Sequence, residues 1–188
     1  PTSPRYQPDE RFRRLFMASP GHCMVGADLN GVELRVLAHY LPRFDQGRYA
    51  DILVDGDIHQ TNADKIGITR RQVKTVRYAF LYGAGNKRLR LSYDPQLSET
   101  KARKKGKEIR EAYIAAIPGL KQLLEAVHKV VSRGYVHGLD HRPILCESRH
   151  KSLNFLLHGS AAIIANKWMV LPHENRPKSA HQLAFIHD

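Results

Sequence analysis

The chain has 188 residues, 42% of them hydrophobic, which is enough to bury a core in one or two domains and excludes a disordered tail. Its 30 Lys and Arg against 18 Asp and Glu leave a formal charge of +12, an excess that favours a polyanionic partner, either nucleic acid or an anionic membrane surface. No run approaches the length of a membrane-spanning helix, the amino terminus has no signal-peptide pattern, and Cys23 and Cys146 are too far apart for a C-x-x-C site, which argues against a disulfide scaffold or a Cys-based zinc site.

Residues 1–20 are polar and basic, with an amphipathic stretch from Arg11 to Met17. The apolar run from Cys23 to Asp28 predicts a short buried strand. A helix follows from about Gly31 to Tyr40, stopped by Pro42, with Asn30 and Glu33 at capping-box spacing. Asp57 caps a helix from Ile58 to about Ile66. Thr69 and Gln72 form a second S/T-x-x-E/Q pattern, so another helix begins at Arg70 and ends at Gly83 and Gly85. Its apolar face is Val73, Val76, Phe80 and Leu81. Residues 86–98 read as irregular, with a turn at Asp94-Pro95, and residues 99–116 as a basic helix broken by Pro118-Gly119. Then come a helix from Leu120 to Val131, a hairpin from Gly134 to Leu145 turning at Gly138 to His141, and a long helix from Ser148 to Val170. Pro172 to Ala180 reads as a loop and Gln182 to His187 as a last strand.

The helix from Arg70 holds the most informative pattern. Arg70, Lys74, Tyr78 and Tyr82 recur at every fourth position, and four residues advance about 400° on a helix, so they share one face. Two cations followed by two aromatic rings suit a ligand with phosphate at one end and a flat ring at the other, as in a nucleotide. A solvated cationic face with two half-buried tyrosines is the alternative. His59 lies at a helix start, where backbone N–H groups favour anions.

Asp28 and Asp188 each end an apolar run. Two carboxylates on neighbouring strand ends can bridge two Mg²⁺ ions for phosphoryl transfer, or each can be a turn residue. Arg142, Arg149 and Asn154 fall on the hairpin and at the start of the long helix, where they meet a nucleic-acid backbone or only solvent.

Taken in order, these segments resemble the three motifs of family A DNA polymerases. Asp28-Leu-Asn-Gly-Val-Glu33-Leu34-Arg35 resembles D-x-S-Q-I-E-L-R. Arg70-x3-Lys74-x7-Tyr82-Gly83 is similar to the motif on the fingers helix, and Ile186-His187-Asp188 to the beginning of V-H-D-E. The connecting segments Gly56 to His59, Phe80 to Gly85 and Leu153 to Leu157 are similar to the replicative polymerases of T-odd phages.

The resemblance implies a helix-rich α+β fold. A palm with a small antiparallel sheet would take residues 1–54 and 121–188, and a helical fingers insertion residues 55–120. It implies template-directed DNA synthesis from deoxynucleoside triphosphates on primer-template DNA, in the (host) cytoplasm, with any processivity partner unspecified. Asp28, the Leu29 carbonyl and Asp188 would hold two Mg²⁺ ions. His59, Arg70 and Lys74 would bind the triphosphate, with Lys74 protonating the leaving pyrophosphate. Tyr78 would pack near sugar and base, Tyr82 would stack by the template base, and Glu33 would exclude a ribose 2′-OH. Arg142, Arg149, Asn154, His158 and His187 would contact DNA.

Three departures stand out: His158 replaces a Gln that contacts the minor groove, His141 replaces a small turn residue, and the chain stops at Asp188 without the usual Glu and returning strand. The isolated chain is therefore expected to have little or no polymerase activity. The rival readings are a single-subunit RNA polymerase, which shares a Lys-x7-Tyr-Gly pattern, and a non-catalytic DNA-binding relic. A membrane-surface role is disfavoured, because no helix joins a basic face to exposed Trp or Phe.

Overall fold

The computed structural model describes residues 15–83 and 99–185, the side chains of Glu99 and Ala102 excepted. The irregular segment and turn expected at 86–98, the Gly85 helix end, the start of the Arg11 stretch, and Ile186, His187 and Asp188 lie outside the described residues. The chain forms two units, Pro1–Asn30 and Gly31–Asp188.

In the first unit, residues 22–29 adopt neither helix nor strand. The strand expected from Cys23 to Asp28 is thus a correction: Val25 is 87% exposed, and no ladder pairs with this segment among the described residues. A strand cannot satisfy its own N–H and C=O groups, so an apolar run without a paired neighbour stays open.

The second unit is mainly helical. Its first helix, α1 (Val32–Tyr40), starts one residue later than capping-box spacing requires. Gly31 holds the N-cap position with a left-handed φ of 61°, and Glu33 falls in the second position of the helix rather than the third. The reading of Asn30 and Glu33 as a capping box is therefore corrected. Pro42 ends α1 but also opens a new single turn, α2 (Pro42–Asp45), because proline's missing N–H costs nothing at a helix start. The buried Asp45 carboxylate then accepts from the N–H groups of Gly47 and Tyr49, at 2.9 and 2.8 Å, and so organises α3 (Arg48–Asp55).

Two helices follow with the expected caps. Asp57 accepts from the N–H groups of His59 and Gln60 at the start of α4 (Ile58–Ile66). Thr69 and Gln72 close a full capping box on α5 (Arg70–Leu81), and Val73, Val76, Phe80 and Leu81 are buried as expected. Next are α6 (Glu99–Ala116) and α7 (Leu120–Val130). Between them Gly119 has φ 77°, and an added Cβ would lie 2.7 Å from Cβ of Phe44, so only glycine permits this close approach to α2.

The described residues contain one sheet, an antiparallel pair of β1 (Tyr135–His137) and β2 (Pro143–Leu145), with Val136 opposite Ile144. His141 closes its turn at φ 63°, the left-handed conformation that explains why a small residue is usual there. The hairpin leans on the long helix α8 (Ser152–Asn175), where an added Cβ on Gly159 would collide with Ile144.

α8 runs past Pro172, which corrects the loop expected from there to Ala180. Side chains satisfy carbonyls of its last turns: Asn175 Nδ2 donates to Leu171 at 2.8 Å, and the Arg176 guanidinium donates to His173. Residues 182–185 are not a strand, and Phe185 instead meets the Trp168 ring at 6.3 Å. One hydrophobic core joins these helices, from Leu37 and Leu41 through Val76 and Phe80 to Tyr113, Leu120, Leu123 and Leu157. Among the described residues no helix is long and apolar enough to cross a membrane.

Candidate active site

The face of α5 expected from the sequence is present, and three other helices bring partners to it. α4 packs beside α5, and its capping Asp57 accepts from Nε of Arg70 at 2.7 Å. That contact and the Gln60 N–H hold the Asp57 carboxyl below its usual range. Arg70 is thereby aimed at the start of α4, where Asp57 neutralises part of its charge.

His59, in the first turn of α4, is half-buried. Burial, followed by the charges of Arg77, Lys74 and Arg70, lowers its imidazole to about 4. Arg70, Lys74 and His59 therefore occupy one region, as expected. Lys74 is exposed, which leaves its ammonium accessible to a ligand.

One and two turns on, the face becomes aromatic. The Tyr78 and Tyr82 rings lie 6.4 Å apart. Tyr82, at the C-cap of α5, is 48% exposed. The His158 ring of α8 stands 4.6 Å from it. Desolvation, and next the Glu33 carboxylate of α1, push the Tyr82 hydroxyl up. Glu33 Oε1 is in turn 4.0 Å from Nδ1 of His158. The end of α5 is held by Asn154 Nδ2, which donates to the Leu81 carbonyl at 2.9 Å. Gly83 then passes close to Lys151, with φ 66°.

Glu33, His59, Arg70, Lys74, Tyr78, Tyr82, Asn154 and His158 thus lie along a single surface centred on α5, which rises ~18 Å from Arg70 to Tyr82. Arg142 and Arg149 make other contacts. Arg142 is exposed on the hairpin and pairs with Asp140. Arg149 acts on His128 of α7. Asp28 is exposed and Leu29 half-buried in the first unit, while His187 and Asp188 lie outside the described residues. Among the described residues no three His, Cys, Asp or Glu side chains cluster as a metal site.

The sequence pattern passes over Arg77. Its side chain is buried on the inner side of α5, hydrogen-bonds His59 and covers the Tyr78 ring. A signal exists: Arg77 follows Val73 by four and precedes Phe80 by three, so it falls on the apolar face.

A family model described as DNA polymerase family A matches residues 2–188. The chain is 32% identical over 165 residues to a DNA-directed DNA polymerase of Escherichia phage T7, covering 79% of this chain and 23% of that protein. It is 28% identical over 187 residues to DNA polymerase I of Geobacillus stearothermophilus, covering 88% of this chain and 21% of that protein. The chain therefore spans about a quarter of the length of these relatives. Among solved structures, it resembles the POL domain of Pol1 from M. smegmatis, in complex with DNA primer-template and dNTP. The TM-score is 0.56 and the identity 20%, over 78% of this chain and 30% of that one, a likeness of fold.

Proposed function

Because this chain belongs to DNA polymerase family A, we propose that it supplies the nucleotide-gripping surface, and part of the metal-binding surface, of a template-directed DNA polymerase. The observation that carries this reading is the α5 surface, with Arg70, Lys74 and His59 toward one end and Tyr78, Tyr82 and Glu33 toward the other. The substrate is a deoxynucleoside triphosphate. A primer 3′-OH attacks its α-phosphate and pyrophosphate leaves.

Arg70 and Lys74 bind the β- and γ-phosphates, Arg through a planar fork and Lys as a point charge. His59 adds a hydrogen bond beside them. Lys74 also gives a proton to the leaving pyrophosphate, which offsets the charge that develops there. Tyr78 packs on the sugar and base. Tyr82 stacks by the templating base, and Glu33 fills the space a ribose 2′-OH requires.

Asp28, the Leu29 carbonyl and Asp188 are hard oxygen donors of the kind Mg²⁺ takes, and Asp28 is exposed to receive it. When bound, two Mg²⁺ ions activate the attacking oxygen and stabilise the leaving one. Residues 1–54 and 121–188 form the palm and residues 55–120 the fingers. Arg142, Arg149, Asn154, His158 and His187 line the path of primer-template DNA, which the chain's positive charge favours.

Calorimetric titration of the chain with a dNTP and with the corresponding deoxynucleoside, both in Mg²⁺, tests this reading. The triphosphate should bind at least about tenfold more tightly, since two cations grip the phosphates. Equal affinity for the two would contradict it.

A further inference from the structure

Arg77 is 9% exposed and stands behind the row formed by Arg70, Lys74, Tyr78 and Tyr82. Its Nη1 lies 3.2 Å from Nε2 of His59, and its Cζ lies 4.2 Å from the centroid of the Tyr78 ring. One buried guanidinium thus touches a residue at the phosphate end of the surface and the ring at the sugar end.

The contact with His59 restricts the protonation of that ring. A guanidinium carries donors only and does not lose its proton in a protein. Nε2 of His59 must therefore accept, which requires its lone pair. A ring protonated at both nitrogens would set one N–H against another. The only arrangement that keeps the contact is a neutral imidazole with its hydrogen on Nδ1.

We propose that Arg77 is a positioning residue: it locks His59 as the neutral Nδ1–H tautomer, so that His59 meets the triphosphate as a directional hydrogen-bond donor rather than as a third cation. The ligand named here rests on the nucleotide-gripping function above, whereas the Arg77–His59 coupling does not. Two cations on this surface, Arg70 and Lys74, already face the phosphates. A neutral donor adds direction while its contribution stays constant across the physiological pH range.

The surroundings act the same way. Among the described residues, the charged groups acting on His59 are Arg77, Lys74 and Arg70 from α5 and Asp57 from its own cap. α6, which also packs on α4, contributes none of them. Burial and the three cations favour the neutral ring, and Asp57 alone opposes them.

Nitrogen–proton correlation spectra of histidine-labelled chain, without nucleotide, test the proposal. His59→Asn identifies the His59 signal by its loss. The parent should show the Nδ1–H form and titrate at about 4. In Arg77→Met, of similar length but uncharged, the midpoint should rise by roughly one pH unit or more, and the Nε2–H form should appear. An Nε2–H form in the parent overturns the proposal, even where Arg77→Met does not fold. So does a folded Arg77→Met protein with an unchanged tautomer and midpoint. A chain that shows the predicted tautomer and its dependence on Arg77, yet binds no dNTP, refutes the nucleotide reading and leaves the coupling standing.

Discussion

Glu33 shows how one residue's place is set from several directions. Its position in α1 is local, but its charge acts on Tyr82 of α5 and it lies 4.0 Å from His158 of α8. The carboxylate stands at the aromatic end of the α5 surface. In a polymerase containing this segment, Glu33→Ala should lower discrimination against ribonucleotides by at least about tenfold, on the order of 1.4 kcal/mol, because the excluded volume is removed. Primer extension with mixed deoxy- and ribonucleotides reads this ratio, and an unchanged ratio contradicts the role. The spacing of Arg70, Lys74, Tyr78 and Tyr82 was legible in the sequence because it depends only on helical geometry. Arg77 was less so. Sequence shows a cation among cations, and only the apolar period of Val73, Val76 and Phe80 marks it as buried.

At the scale of elements, legibility follows how local each signal is. α4 and α5 are bounded by capping side chains within three residues of the helix start, so sequence spacing suffices. The turn at Gly119 and the hairpin between Gly138 and His141 are equally local. α2 and α3 depend on proline serving as a start rather than a stop, and on Asp45 reaching two and four residues past its own helix. The strand expected at Cys23 depends on a distant partner, and an apolar run cannot specify one. The local caps also yield a prediction. Thr69→Ala removes the bond to the Gln72 N–H at 3.2 Å and half of the capping box. It should lower stability by about 1 kcal/mol. Chemical denaturation measures this, and an unchanged midpoint would show that the cap does not hold the start of α5.

For the whole molecule, one core fastens α1, α4, α5, α6 and α8 together, so α1, the adjacent pair α4 and α5, and α8 share one surface although they come from three distant stretches of sequence. Family membership was readable because three short motifs occur in order across almost the full chain. The convergence of Glu33 and His158 on Tyr82 was not readable residue by residue, since it arises from packing between residues more than 40 positions apart in sequence. The chain's excess of positive charge also raises a specific alternative, that any phosphate compound binds it through diffuse attraction alone. The most direct test is the dNTP affinity of the parent chain, of Lys74→Ala, and of Lys107→Ala, whose lysine pairs with Glu111 on the exposed side of α6 at 3.8 Å. A specific grip by α5 predicts about 10- to 100-fold weaker binding for Lys74→Ala, roughly 1.4–2.8 kcal/mol, and a change within about twofold for Lys107→Ala. Equal losses in the two variants, or no loss in Lys74→Ala, would contradict it.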